Sequence, residues 1–366
     1  MNLQTRFISA SLCCVILPFW VSYSLAESPK RETCTTSSCH GSIMAGGGVH
    51  GPVKMKNCST CHQAGEGGSK NLKLPKSHPT LSAIKPEAIK PMCLRCHNTQ
   101  NDIIKNAKHV HSALKDGACT DCHNPHSSQH KNLLNDSMPA LCYSCHSELE
   151  TQSKSDKTTH GALTIQESCA NCHDPHASKQ AKLLKNTQPA LCLDCHSKPI
   201  KTKNGKMITN IGDLLKNSSW KHSALEAGSC TDCHQPHSSK NRSLLSKQYT
   251  DKTYTPFDKA DYELCFSCHD PELATAAKTS EQTGFRNGDQ NLHYLHIQGT
   301  RRAKQGRSCN VCHEVHASKH PKLIKSFFTR AFTSGETQIP IIFEESKNGG
   351  SCATACHGLK KYDRNK

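Results

Sequence analysis

Residues 160–200, HGALTIQESCANCHDPHASKQAKLLKNTQPALCLDCHSKPI, hold two copies of C-x-x-C-H, at Cys169–Cys172–His173 and Cys192–Cys195–His196. In one helical turn, positions i, i+3 and i+4 share a face. Two thiols and an imidazole so placed can clamp a planar macrocycle, through two thioether bonds to its edge and one axial bond to its iron. The spacing therefore reads as a c-type haem attachment site. His160 and His176 flank the first motif, and each offers an imidazole for an opposite axial position.

The same signature recurs along the chain. Beyond Cys13 and Cys14, the cysteines fall into eleven pairs, each followed at once by histidine. Nine are C-x-x-C-H: Cys58–Cys61–His62, Cys93–Cys96–His97, Cys119–Cys122–His123, Cys142–Cys145–His146, the two above, Cys230–Cys233–His234, Cys265–Cys268–His269 and Cys309–Cys312–His313. The first pair is wider, Cys34-x4-Cys39-His40, and the last is Cys352-x3-Cys356-His357. Disulfides and zinc ribbons also use paired cysteines, but neither requires histidine directly after the second one. Eleven covalent haem c groups are expected, with bulged or tighter turns at the two irregular motifs.

Composition demands such a cofactor. Leu, Ile, Val and Phe together number 61 of 366 residues, about 17%, and the formal charge is +16. So few aliphatic residues with so much charge describe a disordered chain, unless something else supplies the core. Haem can do so, and the chain without haem is expected not to fold. About eleven haems, each bringing roughly one net negative charge, would offset most of the +16. Nucleic-acid binding loses its electrostatic warrant accordingly, and no basic block interleaved with aromatics supports it.

The elements that must position these groups form a repeat: an upstream His, a first motif, usually Pro-His, a Ser-containing turn, a Leu pair and a second motif. Units begin at His50, His111, His160, His222 and His296. The expected fold is mostly irregular with short α-helices, elongated, with a haem-dominated core and little or no β-sheet. No alternating run of strand length stands out. Lys198–Ser219 and Ala274–Gln290 read as polar linkers. Residues 1–26 read as a secretory signal, with Arg6, an apolar stretch broken by Pro18 and a small-x-small site at Ser24–Ala26, so the mature chain is expected in a periplasm. The expected regions are 27–105 (three haems), 106–200 (two compact units), 201–286 (one unit with insertions) and 287–366 (the last unit).

Tether length sorts the remaining histidines. His176 lies three residues beyond His173, too close to wrap to the opposite face of that haem, so it must serve another. His160 has nine residues of slack to its own unit's first motif. The resulting expectation gives His50, His111, His160, His222 and His296 to the first haems. His126, His176, His237 and His316 go to the second haems, with His78 substituting in the first unit, which lacks Pro-His. The ligand of the haem at His40 stays open among His109, His130, His293 and His320. Met44, Met55, Met92, Met138 and Met207 recur at no fixed place in the repeat, so methionine ligation is not expected.

The unit His-x7–8-C-x-x-C-H-x-P-H…L-C-x-x-C-H resembles the doubled motif of multihaem c-type cytochromes across essentially the whole mature chain. It is similar to the decahaem periplasmic subunits of outer-membrane electron conduits. Thr283–Gly288 and Asn291–His296 resemble multihaem cytochromes of metal-reducing bacteria. The chain departs from the decahaem plan by its Cys34/Cys39 site and its last motif. The resemblance implies an elongated haem wire that passes electrons to other redox proteins, with a porin as a further partner and external acceptors such as metal oxides. Two histidines on every iron leave no open position, which suits an electron carrier rather than an enzyme. The alternatives are a reductase of nitrite, hydroxylamine or a sulfur oxyanion, which needs an open position, and a filament of haem chains.

Overall fold

The computed structural model describes residues 40–62, 84–165, 167–202, 204–299, 305–332 and 335–366. The expected signal segment, Cys34, Cys39 and His78 lie outside these residues. Each C-x-x-C-H closes one helical turn. In eight of them the histidine N–H donates to the carbonyl of the first cysteine, at 2.9–3.1 Å. The ninth, at His196, sits inside the helix Ala190–His196. First motifs ride on short tight turns such as Cys119–Asp121 and Cys309–Val311, and second motifs on α-helical turns such as Ala140–Tyr143, entered from Pro139. Proline suits that entry because its fixed φ matches the helix and its missing N–H is not needed there.

Consecutive units are clipped together by two-residue antiparallel bridges. Gly48–Val49 pairs with Ser127–Ser128, and His109–Val110 with Ala177–Ser178. Thr158–Thr159 pairs with Ser238–Ser239, and Trp220–Lys221 with Ala317–Ser318. The residue after each first strand is the upstream histidine. Its N–H donates to the carbonyl of the histidine three residues past the first motif one unit on: His50 to His126, His111 to His176, His160 to His237 and His222 to His316, at 2.9–3.0 Å; proline precedes that histidine in the first three cases and Val315 in the last. Backbone hydrogen bonds are directional, so each clip sets one unit's register on the next. In the first clip Gly46 runs so close to the Ser128 backbone that a Cβ would sit 2.4 Å from its nitrogen.

The Leu pair does not make the helical turns that its composition suggests. Asn132–Leu133, Lys182–Leu183, Ser243–Leu244 and Lys322–Leu323 all hold positive φ, between 53° and 59°. Two such residues in succession reverse the chain and cost conformational energy that surrounding contacts must offset. Those contacts recur: Ser128, Ser178, Ser239 and Ser318 donate their hydroxyls to the carbonyls of Leu134, Leu184, Leu245 and Ile324.

The C-terminus departs from the expectation of little or no sheet. A four-stranded antiparallel meander is built from β1 (Phe327–Phe332), β2 (Gly335–Ser346), β3 (Gly349–Thr354) and β4 (His357–Asp363). Its inner face buries Phe328, Ile339 and Ile341 against Val311, with Cys312, Ile324 and Cys352 packed alongside. Alternation is hard to read in β2 because Pro340, Ile342 and Phe343 interrupt it. The stretch Ala274–Gln290, expected as a linker, is instead packed: Ala274 is fully buried, and the Arg286–Asn287 strand pairs with Gln290–Asn291. Among the described residues only ten apolar side chains are buried, three of them alanine. That is far too few to form an aliphatic core for a chain of this length.

Candidate functional site

Among the described residues the histidines come together in ten facing pairs. Ring centres lie 6.0–6.2 Å apart in His50–His97, His62–His126, His111–His146, His123–His176 and His160–His196. They lie 6.1–6.3 Å apart in His173–His237, His222–His269, His234–His316, His293–His313 and His296–His357. The distance is nearly constant, yet the angle between planes runs from 7° to 69°. Ring stacking would constrain both. A shared axis constrains only the distance: two metal–imidazole bonds of about 2 Å on one line put the ring centres about 6 Å apart at any rotation. The residues therefore fit a metal held between the two rings, with a C-x-x-C pair beside one of them.

The pairing follows a rule different from the one tether length suggests. The upstream histidine faces the second motif of its own unit, not the first: His50 faces His97, His111 faces His146, His160 faces His196, His222 faces His269 and His296 faces His357. The histidine just past the first motif faces the first motif of the preceding unit, not its own second: His126 faces His62, His176 faces His123, His237 faces His173 and His316 faces His234. The reason is the inter-unit clip. The hydrogen bond from His160 N to His237 O ties the two histidines back to back, so each ring enters a neighbouring site. The fifth unit departs from this rule. His293, which the sequence left among candidates for the N-terminal site, faces His313 there instead.

The remaining candidates are placed elsewhere. His130 lies 3.9 Å from Asp136, His320 bonds the Ser326 hydroxyl at 3.0 Å, and His109 belongs to a clip strand. His40 precedes the turn Gly41–Met44. Met55 and Met207 are exposed.

The proton of the first-motif ring is held by a backbone carbonyl nine residues on in four units. Nδ1 of His123, His173, His234 and His313 lies 2.8–2.9 Å from the carbonyl oxygen of Asn132, Lys182, Ser243 and Lys322. A carbonyl only accepts, so the proton sits on Nδ1 and the Nε2 lone pair is left for iron. The positive-φ pairs aim these carbonyls. Recurrence of the Leu pair at a fixed distance from the motif is the sequence signal for them.

Asn291 is a further positioning residue. Fully buried, it caps the helix Leu292–Ile297 by accepting from His293 N and Tyr294 N. Its Nδ2 donates to the carbonyls of Leu273 and Ala276, at 3.0 and 2.8 Å. That helix presents both His293 and His296, with Phe285 in contact with both rings.

Burial keeps these rings neutral. It pushes His126, His176, His196, His237 and His313 below the ordinary histidine value, and His293 down to about 3. Neutral imidazole is the form that binds metal. The attachment thiols also run edge to edge. Cys93 neighbours Cys119, Cys142 neighbours Cys169, Cys192 neighbours Cys230 and Cys265 neighbours Cys309, each contact joining a second motif to the next unit's first. Within units, Cys122 lies within electrostatic reach of Cys145, Cys172 of Cys195, Cys233 of Cys268 and Cys312 of Cys352.

Facing imidazoles beside paired cysteines, repeated in series, define a multihaem c-type cytochrome, and the similarities of the chain agree. The doubled CXXCH motif family matches residues 111–151, 160–201 and 222–274. The multiheme cytochrome MtrA of Shewanella baltica (strain OS185) is 29% identical over 322 residues, covering 75% of this chain and 73% of that protein. The high-molecular-weight cytochrome c of Nitratidesulfovibrio vulgaris (strain Hildenborough) is 27% identical over 167 residues, covering 45% of this chain and 24% of that protein. The chain thus carries covalently bound haem c and works in multihaem electron transfer.

Proposed function

We propose that the protein carries eleven haems and relays electrons along them, in the order of their motifs, between redox partners outside the cytoplasm. The observation that supports this most is the set of ten facing histidine pairs, which would hold ten of the irons between two imidazoles each and so leave no position open for substrate there. Haem supplies one-electron chemistry. The chain supplies fixed ligation on both sides, so coordination hardly changes between oxidation states, and histidine pairs that favour low potentials. The eleventh haem is assigned to Cys34, Cys39 and His40. Under the pairing rule its second ligand is the histidine that follows the first motif of the next unit, and that histidine is His78.

The context is proposed as anaerobic respiration, with the mature chain in the periplasm or associated with the outer membrane. Partners are then other cytochromes and a porin, and acceptors such as metal oxides lie outside the cell. The relation to MtrA and the signal-like residues 1–26 support this placement. Among the described residues no helix is long and apolar enough to cross a membrane. Intact mass of the mature protein tests the count: eleven haem increments are expected, and nine would mean that the two irregular motifs are empty. The same sample, reduced and exposed to carbon monoxide, should bind none. Stoichiometric binding with turnover of nitrite or hydroxylamine would replace the relay with a reductase.

A further inference from the structure

The residue directly after each first-motif histidine, two places before the histidine that serves the preceding unit, changes chemical character from unit to unit. It is Asn124, Asp174, Gln235 and Glu314: amide, acid, amide, acid. Asn124 and Asp174 make the same turn. Oδ1 of Asn124 accepts from His126 N at 3.0 Å and Ser127 N at 3.4 Å, and Oδ1 of Asp174 accepts from His176 N at 2.9 Å and Ala177 N at 3.4 Å. Only the charge differs. The Asp174 carboxylate lies 3.7 Å from His176 Nδ1, and the Glu314 carboxylate 3.8 Å from His316 Nδ1. His237 has no such anion before it, and the cation of Lys182 lies within electrostatic reach instead. His293, which closes the series, has the neutral Thr283 hydroxyl 3.0 Å from Nδ1.

We propose that this position sets an alternating series of haem potentials, with Asp174 and Glu314 lowering those of the haems between His123 and His176 and between His234 and His316. The inference rests on the ligand pairing above and extends it. A carboxylate 3.7–3.8 Å from the distal Nδ1 makes no hydrogen bond to it, but its negative charge acts through the ring and makes Nε2 a stronger donor. Ferric iron gains more from that than ferrous iron, so the reduction potential falls. At Asn124 and Gln235 the amide leaves the ring an ordinary neutral imidazole. The first haems of the five units then alternate higher, lower, higher, lower, higher. The effect should be greater at Asp174 than at Glu314, because Lys325 partly offsets the Glu314 charge.

Three variants of the full-length haem-loaded protein test this: D174N, N124D and E314Q. D174N and N124D keep the turn, since either side chain supplies the accepting oxygen. The readout is a spectroelectrochemical titration compared with wild type, taken with haem content and low-spin iron signal on the same samples. D174N should move one haem equivalent to higher potential, N124D should move one to lower potential, and E314Q should move one upward by less. Superimposable curves, or shifts of opposite sign, with haem content and low-spin signal intact, would overturn the tuning role alone. Wild-type protein with high-spin iron would overturn both the tuning role and the pairing on which it rests.

Discussion

A histidine serves as an axial ligand when its ring is neutral, correctly tautomeric and aimed, and here each condition has a visible cause. Burial sets the charge, a carbonyl fixes the tautomer in the first motifs, and the clip sets the aim. The angles between facing rings carry a spectroscopic consequence. They are 7–36° in eight pairs but 69° in His222–His269 and 55° in His296–His357. Near-perpendicular ligand planes leave the iron d-orbitals almost degenerate, so these two haems should give highly anisotropic low-spin resonances and the others ordinary rhombic ones. Frozen-solution electron paramagnetic resonance checks this, and a single uniform class of signal would contradict it. The nine C-x-x-C-H turns of the structure were legible in the sequence, because their spacing is local chemistry. Their partners were not. Tether length showed correctly that His176 cannot serve the haem of His173, but it could not choose among more distant sites.

Among the elements, the helix Leu292–Ile297 is the most exacting, since it aims two ligands from one cap. Replacing Asn291 by Ala removes both N-terminal acceptor bonds and leaves buried carbonyls unmatched, at a cost of about 2 kcal/mol. N291A should fold less stably and loosen ligation at the haems of His313 and His357 while leaving the other sites low-spin. A loss spread evenly over all sites would speak against a local role. The same helix carries the acid sensitivity. The folded value of His293, about 3, is depressed below the ordinary 6.5 by burial, so the folded state favours the neutral ring. Its contribution is complete above about 6.5 and is lost as pH falls toward about 3, because the unfolded chain takes up the proton first. Iron ligation acts in the same direction. An acid titration of the low-spin band should show loss on lowering pH, and loss on raising it through this window would contradict the assignment. The C-terminal sheet escaped the sequence reading because β2 carries its two buried isoleucines within a run that Pro340, Ile342 and Phe343 make uniformly apolar.

At the scale of the molecule the structure revises what a unit is. The sequence reads as five haem dimers in series, each closed on itself by its own Pro-His. In the structure His126, His176, His237 and His316 each complete the previous unit, and the fifth unit closes with His293 from the helix beside it. A chain bound in this way cannot lose one unit without opening a haem in its neighbour, and it offers electrons an unbroken run of adjoining attachment edges. The repeat was legible in the sequence. The interlock was not, because its hydrogen bonds join residues some 65 to 95 apart, between strands of two residues each that carry no pattern of their own.

Carbon monoxide binding to reduced H176A tests that interlock most directly. One ligand per molecule is expected, at the haem of Cys119–Cys122. In a double variant that also lacks those two cysteines, binding should vanish, whereas a double variant lacking Cys169 and Cys172 should still bind one. Binding that survives loss of Cys119 and Cys122, and disappears with the Cys192–Cys195 site instead, would return His176 to its own unit and contradict the account.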